Sequence, residues 1–191
     1  PESTRFGNHL YFFLHAFIQR KRGERFYIQY IDNMEYWFRY FPNLMSFTIF
    51  SDEIKIYDQK VKLTHFYQHY NRDFDSNQLN DFIEQELMEN EIFQNHNIEG
   101  FVINVRRGDF YTSQHKNLYG FDQIDYIKKA ISNYTLSEIK NVYIISDDLV
   151  WCKENLDFLS NLELKIHYPK KQEPILDFLK ICFAKQLIIP N

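Results

Sequence analysis

Two stretches of this chain have residue types and spacing suited to chemistry: Arg106-Arg107-Gly108-Asp109 and Ser146-Asp147-Asp148. A guanidinium is always charged and offers a planar fork of N–H donors that fits a phosphate. Glycine beside it lets a backbone come close to a ligand. Each stretch also has a plainer reading. The arginines can be a surface pair salt-bridged to Asp109 or Asp122, and Ser or Asp is the preferred cap at a helix N-terminus. Three such residues in a row nonetheless exceed what one cap requires. There is no GxGxxG and no GxxxxGK[ST], so neither a dinucleotide fingerprint nor a P-loop is supported. Asp147-Asp148 lacks the spacing of a DxD metal site, and two arginines already supply positive charge, so no catalytic metal and no cofactor is predicted.

Both stretches follow short apolar runs. Phe101–Val105 precedes the arginines, and Val142–Ile145 precedes Ser146. Helical patterns follow at about 123–133 and 149–159, then a strand at 164–168, a helix at about 174–185 and a strand at 187–189. Strands alternating with helices of this length predict βαβ units and a parallel sheet. In such a sheet ligands bind beyond the carboxyl ends of the strands, which is where both stretches and Pro190-Asn191 fall. Upstream, Leu10, Phe13, Leu14, Phe17 and Ile18 repeat at helical spacing. Asn8 is the expected N-cap after a tight turn at Arg5–Asn8, and Gly23 the expected stop. A strand is predicted at about 26–31, another around 46–50, and a helix at 77–93. The polar stretch Gln94–Gly100 is the expected boundary, giving an N-terminal α/β region 1–98 and a Rossmann-like region 99–191 that ends short of its full extent.

Composition narrows the class. The 191 residues are 45% apolar and 25% charged, as in ordinary globular chains. The 19 Phe and 14 Tyr read first as core, because buried aromatics dominate packing area, and only second as the lining of a cleft. A net charge of −4 and a pI of about 6.0 give no basic stripe for nucleic acid, so an anionic ligand must be held by a few local cations. Cys152 and Cys182 match no metal-ligand spacing and read as two small buried hydrophobes in a reducing compartment. No run of 18 apolar residues is present, and no secretory signal. A cytoplasmic protein is expected, with peripheral attachment to the inner face of a membrane left to segments outside this sequence.

Several segments together resemble glycosyltransferase family 11, the α-1,2-fucosyltransferases, and more distantly the protein O-fucosyltransferases. Arg5-Phe6-Gly7-Asn8-His9-Leu10 is similar to their GRFGNQ/GGLGNQ opening. Val102–Phe110 is similar to HxRRGDY, Val142–Glu154 to FSDDxxWCKE, Asp125–Ala130 to YYxxAI, and Leu187–Asn191 to the strand before an NSSFSWW-type motif. The resemblance implies a GT-B-like α/β fold and metal-free, inverting transfer of fucose from GDP-fucose to a glycan hydroxyl, such as the 2-OH of a galactoside in O-antigen. It implies that Arg106 holds the β-phosphate, that Arg107 is a second phosphate contact, and that Asp148 or Asp147 accepts from guanine alongside Ser146. Asn8 and Arg5 would approach the phosphates or the fucose. Asn104 stands where the family has His, and His9 where it has Gln. These departures keep open a catalytically impaired relative, or a transferase of another nucleotide sugar. No general base is assigned; Asp109 and His115 are candidates, each read first as structural.

Overall fold

The computed structural model describes residues 6–55, 66–88, 91–93, 98–108, 111, 120–134, 140–169 and 173–190. The chain forms two compact units, Pro1–Asn95 and His96–Asn191.

The first unit is built on α1 (Phe6–Lys21), which starts two residues before the expected cap. Phe6 stacks on Trp37, with ring centroids 3.8 Å apart and planes 7° from parallel, and lies 5.5 Å from Phe41. This aromatic anchor draws the first turn into the helix, so Gly7 and Asn8 are helical and Asn8 is not the cap. The other end stops at Gly23, where φ is +82°. The Gly23 N–H donates to the Arg20 carbonyl (3.0 Å) and the Glu24 N–H to the Gln19 carbonyl (2.9 Å). This pair of bonds is the Schellman arrangement that glycine favours. Strands β1 (Ile28–Gln29) and β2 (Thr48–Ile49) pair in parallel. Between them lie a 3-10 turn at Asp32–Met34, α2 (Glu35–Phe38) and a 3-10 segment at Pro42–Phe47. The expected helix at 77–93 is shorter: α3 spans Ser76–Phe82 and passes into a π turn at Ile83–Leu87. Its cap is Asp75, which accepts from the Gln78 N–H while the Gln78 side chain accepts from the Asp75 N–H.

The second unit is a four-stranded parallel sheet. It contains β3 (Ile98–Val105), β4 (Asn141–Ser146), β5 (Lys165–His167) and β6 (Ala184–Ile188), in the order β5-β4-β3-β6. Gly100, expected in the polar boundary, lies inside β3. A Cβ there would come within 2.8 Å of the Tyr143 ring and 3.1 Å of the Asn141 carbonyl, so strand pairing itself excludes a side chain. Helices α4 (Gln123–Ser132), α5 (Leu149–Asn155) and α6 (Pro174–Cys182) connect the strands in turn. The core on one face joins Phe101, Ile103 and Val105 of β3 to Ile127 and Ile131 of α4 and Cys152 of α5. Helix α6 packs on β3 and β6 and buries Ile175 and Leu179 outside that cluster, which covers the other face. The first two crossovers therefore step outward from β3, and the third returns past it, as right-handed connections require. Two helices end early. Helix α5 gives way at Leu156 to a 3-10 segment (Asp157–Leu162), and Ala184 and Lys185 belong to β6 rather than to α6.

Candidate functional site

The strand order reverses between β3 and β6. Beyond the carboxyl ends of these two strands an open α/β sheet leaves its ligand crevice. Arg106 follows β3 directly and Pro190 closely follows β6, so the sheet brings the arginine pair to this switch point. Strand alternation puts Asn104 and Arg106 on the face opposite Ile103 and Val105. The Nε of Arg106 is buried.

Arg107 is held on several sides. Its guanidinium carbon sits 3.8 Å from the centre of the Trp151 ring and 4.1 Å from that of Tyr111, and Nη1 donates to Gln123 Oε1 at 3.3 Å. Stacking of a cation between two aromatic faces is favourable in itself. The Asp122 carboxylate, a salt-bridge candidate for the arginines, instead accepts from the Asp125 N–H at 2.9 Å and caps α4.

At the tip of β4 each member of Ser146-Asp147-Asp148 has its own contact. Asp147 Oδ1 accepts from the Arg107 N–H at 2.8 Å, which ties the β4 tip to the β3 tip. Its other oxygen crowds Gly108: a Cβ on that glycine would stand 2.5 Å from Asp147 Oδ2. A side chain at this position would have to displace that carboxylate. Asp148 caps α5, with Oδ1 accepting from the Trp151 N–H at 3.0 Å, and its own N–H donates to Ser146 Oγ at 2.9 Å. The capping reading therefore holds for Asp148, while Asp147 braces the neighbouring strand.

Sequence reasoning missed Gln123. This residue is 3% exposed, and its Nε2 donates to the carbonyls of Arg106 and Pro190, each at 2.9 Å. The signal was present: Gln123 shares one helix row with Ile127 and Ile131, a polar residue on an otherwise apolar stripe.

In the first unit Asn8 lies on α1, where its Oδ1 accepts from Gln68 Nε2 at 2.9 Å. The residue before that partner, Tyr67, has φ +54° and stacks on His15 at 3.7 Å. Arg5, Asp109, His115 and Asn191 lie outside the described residues. Among the described residues, no group of three or more His, Cys, Asp or Glu is placed to hold a metal ion, and no helix is long and apolar enough to cross a membrane.

None of the curated proteins matches the chain, and neither does any solved structure. A family model does: the one described as glycosyl transferase family 11 covers residues 35–190, and so takes in both strand tips, Gln123 and the whole four-stranded sheet. With an α/β sheet whose switch point carries paired arginines, the chain belongs to glycosyltransferase family 11.

Proposed function

We propose that the chain transfers L-fucose from GDP-fucose to a glycan hydroxyl with inversion at the sugar carbon, the 2-OH of a galactoside being the acceptor group. The observation that carries this reading is the position of Arg106 at the β3 tip, beside the reversal of strand order. As the bond to the sugar breaks, positive charge grows on the ring and negative charge on the departing diphosphate. A fixed guanidinium at the diphosphate stabilises charge that is larger in the transition state than in the ground state, so it speeds the chemical step. In this reading the cation is supplied by arginine without a divalent ion, and turnover persists in a chelator.

Asn104, on the same face as Arg106, supports the nucleotide from the strand. Asp148 spends one carboxylate oxygen on its helix cap and uses the other for guanine, with Ser146 holding its backbone. Arg107 and Asp147 join the two strand tips and present the cationic surface. Asn8 and Arg5 serve the phosphates or the fucose. The reaction takes place at the cytoplasmic face of a membrane, on a surface glycan such as O-antigen.

Incubation of the chain with GDP-fucose and a terminal β-galactoside, with release of GDP measured, tests this. Arg106→Lys keeps the charge but loses the fork. It should lower kcat by about 10²–10³-fold, comparable to loss of one oxyanion-hole donor. Near wild-type turnover in Arg106→Lys removes the assigned role. Asn104 favours a second reading, a relative that binds GDP without transferring sugar. Calorimetry showing preference for GDP over UDP and ADP, together with no GDP release, would select it.

A further inference from the structure

We propose that Gln123 is a positioning residue for the transfer site, its buried amide setting the gap between the β3 and β6 tips and with it the backbone that carries Arg106. This rests on the transferase reading above. The β3–β6 register runs as far as Ile103 opposite Ile188, and the carbonyls of Arg106 and Pro190 lie beyond it. Gln123 Nε2 bonds both carbonyls at 2.9 Å and so acts as an extra rung where the ladder has ended.

The neighbours also fix the orientation of the amide. Two carbonyl oxygens cannot face Oε1, so the NH₂ must point to them, and Oε1 turns to Arg107 Nη1 at 3.3 Å. Both donors and the acceptor are thereby used at once. Burying an amide is costly unless it is bonded, and Ile127 and Ile131 show that the rest of the row is apolar. Other side chains fail for definable reasons. Asn is one methylene short, Glu has no donor for the carbonyls, and Lys or Arg adds a charge beside an arginine already in place. Gln is the neutral side chain of this reach with two donors on one atom. Its hydrogen bond to Arg106 goes to the main chain, so it acts on that residue through placement of the guanidinium, and the separate bond to Arg107 is the part that Gln123→Glu retains.

The test is a double-mutant cycle on the full chain, read as kcat and KM for GDP-fucose alongside Tm. Gln123→Met keeps the length and removes all three bonds. It should lower kcat by about tenfold or more while KM moves by less than about threefold, since misplacement near the reacting bond acts on the transition state. In an Arg106→Lys background the same change should cost less than about twofold further, because no fork is left to place. Equal losses in both backgrounds overturn the proposal, as a general structural weakness would produce them. Gln123→Glu retains the acceptor for Arg107 and lacks the donors, so it should behave like Met. Recovery of more than half of wild-type turnover by Glu also overturns the proposal, and Glu serves in place of Met if Met does not fold. A wild-type chain that binds GDP without turnover removes the transferase reading, and this inference with it, whatever the variants do. A wild-type chain that neither binds GDP nor consumes GDP-fucose removes the transferase reading, and this inference with it.

Discussion

At the scale of single residues, the space around Gly108 is already occupied. The Asp147 carboxylate lies over that glycine while its Oδ1 holds the Arg107 N–H. An added methyl group must push the carboxylate aside, and the bond to Arg107 is lost with it. Gly108→Ala is therefore expected to cost about 1.5–3 kcal/mol of stability, the scale of one hydrogen bond to a charged group. Asp147→Ala should cost a similar amount, and the double variant should cost little more than either alone, because both changes destroy one contact. Urea unfolding of the four proteins measures this, and fully additive losses would show that the carboxylate is not what excludes the side chain.

At the scale of elements, legibility followed periodicity. Strands β3 and β4 were readable as continuous apolar runs and α4 and α6 as i, i+4 stripes, and parallel order follows from the alternation of strands and helices. What could not be read was the end of each element. Helix α1 begins early because Phe6 stacks on Trp37, a partner far along the chain. Helix α3 passes into a π turn, and β6 claims two residues that helical spacing gave to α6. In the site, Arg106 and Arg107 stood out by type. Their division of labour did not, because the contacts of Arg107 with Tyr111 and Trp151 are tertiary. Gln123 was legible only as an anomaly in an apolar stripe. One helix carries a pH dependence. His9 is 3% exposed on α1, and burial lowers its pKa from 6.5 to about 4. Between those values the unfolded chain binds a proton that the folded helix does not. Stability tied to His9 is therefore complete above pH 6.5 and is lost as pH falls toward 4. His9→Gln, which does not titrate, should flatten this part of the Tm profile. If wild type and His9→Gln lose Tm in parallel from pH 7 to 4.5, the ring does not contribute.

At the scale of the whole molecule, each unit has its own core, and the second carries a built-in reporter. Cys152 lies in the core shared by β3, α4 and α5, with no exposed surface, and burial raises the pKa of its thiol while a hydrogen bond from Ser146 partly opposes the rise. Cys182, expected to be buried, is exposed near the end of α6. In a Cys182→Ser background, alkylation of Cys152 should wait for the sheet to open and, under the proposed transferase reading, should slow further when GDP is added, since a ligand that binds only the folded state lowers the open population. Rapid labelling under native conditions would show that this core breathes locally. The same sheet sets a timetable for the nascent polypeptide. Gln123 and the Pro190 carbonyl it grips are 67 positions apart, whereas β3, β4 and β5 meet through nearer crossovers. Long loops close late, so β4 and then β5 can build out one flank of β3 while its other flank still waits for β6. A ribosome-bound intermediate would then hold the arginines in order and have no second bank for the nucleotide to lie against. Under the proposed transferase reading, competence for GDP should switch on abruptly once β6 pairs with β3.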